Sequence, residues 1–337
     1  MTLRVGLIGC GGMGRAHLDR IENELTGAKI VATADLNFEA AKAAAEPIGA
    51  KPYGSGAELI ADPEVDAVLI ATFGKVHAPD VIGAVEAGKY VLCEKPLATT
   101  AEDCIAIMEA EQKAGKKLVT VGFMRRFDAA YGELKEMVDA GEHGPVLMIH
   151  NRHRNPAVPD SYTSRMLIDD TAIHEFDTMR WLTGEEIVSV RTDPVRQTSR
   201  AHKNLQEPIV IVAYTESGAR LDDEVNVNLE WAYSIECEVV MESAAARLGD
   251  QERIHVRDKF GNRNKMCQSH IDRFHDAFNK EVQEWILAAS DDRHTGSSSW
   301  DGYAATAIVD AAVASQEQGG AEVKVELVEK PALYEEA

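Results

Sequence analysis

Residues 3–18 read LRVGLIGCGGMGRAHL, and this stretch decides the fold. An apolar run ends in Gly9-Cys10-Gly11-Gly12-Met13-Gly14, and a helix-forming segment follows at once. This is the G-x-G-x-x-G turn of a dinucleotide-binding strand and helix. Gly9 permits the tight turn, Gly11 lets backbone N–H groups approach a pyrophosphate, and Gly14 lets the helix pack closely. Alone the motif is weak, because a plain tight turn uses the same residues. Asp35 strengthens it: it ends the next apolar run, 21 residues after Gly14, where a carboxylate accepts both hydroxyls of an adenosine ribose. That carboxylate repels a 2′-phosphate, and Leu36-Asn37 follow it rather than an Arg, so NAD is expected over NADP.

Outward from this turn, KIVATAD, VDAVLIAT, YVLCEKP and KLVTVGF alternate with helical patterns at 12–25, 38–46, 77–88 and 101–114. Short apolar strands alternating with helices imply a doubly wound parallel sheet buried on both faces, an N-terminal Rossmann domain over residues 1–122. Ligands bind at the carboxyl ends of such strands. There VDAVLIAT delivers Thr72 and Phe73 with His77 close by, and YVLCEKP delivers Glu94 and Lys95. With Gly9, Gly11, Gly12, Met13, Gly14 and Asp35, the residues Thr72, Phe73, His77 and Glu94 form the expected cofactor site. Lys95 precedes Pro96, which biases it to extended backbone and lets its ammonium point into the crevice.

Beyond Arg125 the pattern changes. A helix is expected near 128–140, a strand near 145–150, a Pro- and Asn-rich loop and a helix near 171–183. The alternating runs PIVIVAYTESGARLDDEVNVNLEW and IECEVVMES follow, then a helix over 299–318 and a last strand, EVKVELVE. Residues 123–337 therefore read as a second α/β domain with a large, open, mostly antiparallel sheet, for substrate binding and oligomerisation. Its strands look apolar enough to pair sheet against sheet, which suggests a homotetramer.

In the segment Asp169-Asp170-Thr171-Ala172-Ile173-His174-Glu175-Phe176-Asp177, the first residues suit a helix cap. Helical spacing puts Asp170, His174 and Asp177 on one face. Oxidising a secondary alcohol requires a base for the hydroxyl proton while a hydride leaves carbon, and His174 is the natural choice. Lys95 would hydrogen-bond the same oxygen, and Asp170 would orient the imidazole or bind a neighbouring hydroxyl. No metal is expected: His150 and His153 are three apart on a strand-like segment and point to opposite faces.

The formal net charge of −21 disfavours nucleic acid and anionic lipid as partners. No apolar run approaches the ~20 residues that span a bilayer. The N-terminus shows no signal-peptide pattern, and the five cysteines lack metal-type spacing, so a cytoplasmic protein with reduced thiols is expected.

The chain as a whole resembles the glucose-fructose oxidoreductase and inositol dehydrogenase (Gfo/Idh/MocA) family, and within it the inositol 2-dehydrogenase branch. The resemblance rests on CEKPLATTAEDC (93–104), VGFMRRFD (121–128), His153-Arg154-Asn155-Pro156, Asp170-x-x-x-His174-Glu175-x-Asp177 and SWDGYAA (299–305). It implies NAD, tetramer contacts through the open sheet, and oxidation of a ring hydroxyl of myo-inositol to a 2-ketocyclitol. Lys95 and His174 would be the catalytic pair with Asp170 assisting, and Arg125, Asn155, Asp177 and Tyr233 would contact substrate hydroxyls. One position departs from the pattern: within DRFHDAFNKEVQEW, Phe278 stands where a substrate-side tyrosine is expected. A same-fold dehydrogenase for scyllo-inositol, another isomer or an aldose is the alternative, and a non-catalytic NAD-binding sensor the remote one.

Overall fold

The computed structural model describes residues 2–248, 255–259, 261–264 and 266–335. The chain divides into two compact units, Met1–Met124 with Phe278–Thr306 and Leu327–Ala337, and Arg125–Ala277 with Ala307–Glu326.

The first unit is built on strands β1 (Leu3–Ile8), β2 (Ala28–Ala34), β3 (Lys51–Tyr53), β4 (Ala67–Ile70), β5 (Tyr90–Glu94) and β6 (Val119–Gly122). Helices α1 (Gly12–Asn23), α2 (Phe38–Ala45), α3 (Gly56–Ile60), α4 (His77–Glu86) and α5 (Ala101–Ala114) lie between them. The strands pair in parallel in the order β3-β2-β1-β4-β5-β6. The order reverses between β1 and β4, which opens the ligand crevice at their carboxyl ends. All four residues of β4 are buried, as a strand covered on both faces requires. Thr100 caps α5 by accepting the Asp103 N–H at 3.1 Å, and Gly115 ends it in the left-handed conformation. The three-residue β3 carries Pro52, is legible only as an edge strand, and was not expected from the pattern.

A single cut after residue 122 differs from this division, because two distant segments return to the first unit. Gln283 Nε2 donates to the Thr26 carbonyl at 2.9 Å, and Tyr334 donates to the buried Glu111 at 2.7 Å. Partners separated by 257 and 223 residues leave no trace in local periodicity.

The second unit carries α6 (Ala129–Asp139), α7 (Ile173–Thr183) and the strands β7 (Val146–Arg154), β8 (Ile187–Pro194), β9 (Ile209–Thr215), β10 (Arg220–Asn226), β11 (Ser234–Met241) and β12 (Ala245–Leu248). A separate hairpin joins β13 (His255–Asp258) to β14 (Gly261–Asn264), and β15 (Val323–Lys324) is the last strand. The main sheet runs β12-β11-β7-β10-β9-β8-β15, antiparallel throughout except for the β7/β10 pair. Only Val323–Lys324 of EVKVELVE enters this sheet.

Along β10 burial alternates strictly, with Leu221, Asp223 and Val225 on the covered face. The other face is not the apolar surface expected. Across β7, β10 and β11 it carries an ion-pair ladder: Arg152 to Glu236 at 2.8 Å, Arg154 to Glu224 at 2.8 Å and His150 to Asp222 at 3.4 Å. Alternation sends the apolar residues of these strands to the covered side and leaves opposite charges facing each other across strands. Among the described residues, no helix is long and apolar enough to cross a membrane.

Candidate active site

The glycine-rich turn has the shape of a phosphate cradle. Gly9 has φ of +96°, and a Cβ there would lie 2.6 Å from the Ala71 carbonyl oxygen. A Cβ at Gly14 would meet the Gly9 carbonyl oxygen at 1.8 Å. These two glycines are demanded by the chain itself. Gly11 and Gly12 differ: apart from the adjoining backbone, no described protein atom lies within 4 Å of where their Cβ would be. Gly11 caps α1 without a side-chain hydrogen bond, so the first N–H groups of the helix open into that space.

Asp35 follows β2. Its Oδ2 accepts the Cys10 N–H at 2.8 Å and its Oδ1 the Asn37 N–H at 2.8 Å, which fixes the carboxylate beside the turn and leaves lone pairs for two ribose hydroxyls. The Thr72 hydroxyl oxygen is buried with no partner among the described residues, and Phe73 is 81% exposed. These features fit a dinucleotide: Gly11, Gly12 and Met13 would hold the pyrophosphate, Asp35 the ribose, and Thr72 and Phe73 the nicotinamide half. His77 is corrected. It is wholly buried, with Nδ1 2.8 Å from the Pro96 carbonyl oxygen and Nε2 3.1 Å from that of Thr72. Its ring lies between two main-chain carbonyls and can donate to only one of them while neutral, which places it between the turns after β4 and β5. Burial pushes its pKa down.

Lys95 follows β5 directly and is half-buried, and its peptide bond to Pro96 is cis. Glu94 at the end of β5 is held from two sides. His17 Nε2 lies 2.7 Å from Oε1, and the Lys95 N–H donates to Oε2 at 3.3 Å. Burial would raise the Glu94 pKa, but the His17 hydrogen bond and the nearby positive charge hold it below the usual value.

In the second unit, the carboxyl ends of β7 and β10 and the amino end of β11 meet. Arg154 pairs with Asn226 and with Ser234, which brings Asn155 and Tyr233 to one end of the sheet. Asn155 is tied by its backbone to Asn226 and Leu229, while its Oδ1 is buried with no partner. Such an acceptor suits an incoming hydroxyl. The Tyr233 ring meets His153 edge-on at 5.8 Å, its hydroxyl lies 3.5 Å from His153 Nε2, and burial pushes its pKa up to about 12. The His174 ring lies 6.5 Å from that of His153.

The start of α7 differs from the expected cap. A wide π-helical turn over Leu167–Ala172 precedes it, and neither segment has a side-chain cap. Asp170 instead accepts the Tyr162 hydroxyl at 2.9 Å from within the wide turn, while His174 and Asp177 sit on α7 itself. Arg125 and Asp177 are each 1% exposed and are engaged by other protein groups. The Arg125 guanidinium pairs with Glu175 and lies 3.1 Å from His153 Nδ1. Asp177 accepts from Arg126 at 3.0 Å. Glu175, Arg126 and His153 surround Arg125 and Asp177, and His17 holds Glu94, although the sequence pattern assigned none of the four a role at the site. Spacing reveals neighbours along a helix or strand, and these partners come from different elements.

Phe278 belongs to the first unit. Its ring packs edge-on against His17 at 6.0 Å and under the Arg20 guanidinium at 5.1 Å. Among the described residues no group of three or more His, Cys, Asp or Glu is placed to hold a metal ion, and His150 and His153 do lie on opposite faces of β7.

A parallel sheet whose order reverses at a glycine-rich turn, and a second unit with an open mixed sheet, define a class. The chain belongs to the Gfo/Idh/MocA oxidoreductase family: residues 3–123 match its NAD-binding Rossmann fold and residues 135–327 its C-terminal alpha/beta domain. It is 48% identical to inositol 2-dehydrogenase 3 of Saccharopolyspora erythraea over 99% of this chain and 98% of that one. It is 43% identical to inositol 2-dehydrogenase of Agrobacterium fabrum over 99% of this chain and all of the relative. Among solved structures it is similar to myo-inositol dehydrogenase from Lactobacillus casei in complex with NAD(H) and myo-inositol. There the TM-score is 0.96 at 36% identity, covering 99% of this chain and 100% of that one.

Proposed function

We propose that this protein is an NAD-dependent inositol 2-dehydrogenase that oxidises a ring hydroxyl of myo-inositol to the 2-ketocyclitol. The observation that carries the reading is the end-to-end likeness to a myo-inositol dehydrogenase holding both NAD(H) and myo-inositol. When bound, the nicotinamide supplies the acceptor for the hydride that leaves the carbinol carbon. His174 takes the hydroxyl proton, the Lys95 ammonium hydrogen-bonds the same oxygen as it gains charge, and Asp170 orients the reacting group. Asn155 and Tyr233 present polar atoms to the remaining hydroxyls. Arg125 and Asp177 act one layer back, through Glu175, His153 and Arg126.

We assign the protein to the cytoplasm, where NAD is at hand and thiols stay reduced; four of its five cysteines are buried thiols. A homotetramer formed through the open sheet rests on the family resemblance and on the alternating charges of that face, which can pair with a second copy of themselves. The apolar surface first expected there does not support it. Sedimentation in low and high salt measures this assembly.

The test of function is NADH absorbance with NAD and a panel of myo-inositol, scyllo-inositol, other isomers and aldoses, for wild type and Lys95→Ala. Highest kcat/KM for myo-inositol, and a fall in kcat of ~10²-fold or more in Lys95→Ala with NAD binding kept, support the proposal. NAD binding without turnover on any polyol would make the chain a sensor, and preference for another substrate would move the assignment to it.

A further inference from the structure

A chain of side chains with a fixed direction runs beneath Lys95. Asn279 Oδ1 accepts from Arg20 Nε at 2.7 Å, Arg20 Nη1 lies 2.9 Å from His17 Nδ1, and His17 Nε2 lies 2.7 Å from Glu94 Oε1. A guanidinium only donates, so Nδ1 of His17 must accept and the ring proton sits on Nε2. The order of donation is therefore Arg20 to His17 to Glu94, and the other oxygen of Glu94 accepts the Lys95 N–H at 3.3 Å. His17 and Arg20 are buried at 0% and 3% exposure. Phe278 closes the group by packing against both. His17 and Arg20 stand on α1, the helix whose first turn forms the phosphate cradle, and Glu94 ends the strand that delivers Lys95.

We infer that His17, locked in one tautomer by Arg20, is a positioning residue: through Glu94 it fixes the Glu94–Lys95 turn relative to the helix that holds the dinucleotide phosphates. The inference rests on the proposed role of Lys95 at the substrate hydroxyl. A buried, singly oriented hydrogen-bond chain is suited to this, because each member removes a rotamer from the next. Phe278 acquires a reason on the same ground. Its unsubstituted ring packs on the His17 imidazole and the Arg20 guanidinium and adds no hydroxyl that could compete for either imidazole nitrogen.

The experiment compares wild type, His17→Leu, His17→Gln and Lys95→Ala in steady-state kinetics and in NAD binding followed by fluorescence, all on the full chain. A mispositioned catalytic group costs about 10- to 100-fold in rate, so His17→Leu is expected to lower kcat by that factor with the NAD Kd within about 3-fold of wild type. His17→Gln, whose amide can donate toward Glu94, is expected to recover most of the loss. The ¹⁵N spectrum of wild type is expected to show His17 as the Nε2–H tautomer, a measurement that survives even if a variant folds poorly. Unchanged kcat in His17→Leu, an Nδ1–H tautomer, or equal losses of NAD binding and turnover in both His17 variants overturns the inference. If Lys95→Ala itself turns over normally, the functional reading fails, and that result is distinct from a failure of the relay.

Discussion

Replacing Glu175 by glutamine tests the buried centre of the second unit. Glu175 is 0% exposed and pairs with Arg125, which is 1% exposed, so the substitution leaves a buried guanidinium charge without its paired carboxylate. Breaking a buried pair on one side costs roughly 3–5 kcal/mol. With a urea slope of about 2–3 kcal/mol per molar, the unfolding midpoint falls by about 1–2.5 M. Asp223 modifies this result. It is fully buried, both its oxygens lack partners, and burial first and the Glu175 charge second keep its carboxyl protonated well above the usual range. Once Glu175 is neutral, Asp223 can ionise opposite Arg125 and offset part of the loss, so adding Asp223→Asn to Glu175→Gln is expected to cost more than the sum of the single changes. Removing both partners, with Arg125→Met and Glu175→Leu together, is expected to cost less than Glu175→Gln alone, because no charge is stranded. The assay is urea unfolding followed by tryptophan fluorescence, with Trp181 and Trp231 reporting from this unit. A Glu175→Gln loss under ~1 kcal/mol, or strict additivity across these variants, would refute the assignment of a stranded charge.

Two further outcomes are expected. Asp223 has a folded pKa above its unfolded one, so the folded state binds the extra proton, and its stabilising effect declines as pH rises from the unfolded value toward the folded one. Stability measured at pH 5 and pH 7 is therefore expected to fall in wild type relative to Asp223→Asn, by up to ~1.4 kcal/mol per pH unit from this group, and parallel curves would contradict it. At the nucleotide end, Asp35→Ala removes the acceptor held by the Cys10 and Asn37 N–H groups, and is expected to raise the KM for NAD by about 10-fold or more and to shrink the NAD-over-NADP preference. Equal kcat/KM for both cofactors in the wild type would sink the ribose assignment.

The amino-acid sequence by itself determined the parallel sheet, the phosphate turn, Asp35, and the positions of Lys95 and His174 at element ends. Each depends on neighbours within one turn, one strand or one βαβ unit, so periodicity and glycine placement record it. Helix α5 shows how far this reaches, since its residues 101–114 and the Gly115 terminus were legible in full. Only the tertiary structure decided which polar groups are spent. His77 and Arg125 look the same in sequence as any ligand-facing side chain, yet one is buried against the Pro96 and Thr72 carbonyls and the other neutralises Glu175. The return of residues 278–306 and 327–337 to the first unit, and with it the Arg20–Asn279 contact across 259 positions, has the same cause. A hydrogen bond depends on distance in space, and residue spacing stops reporting that distance once partners lie on different elements.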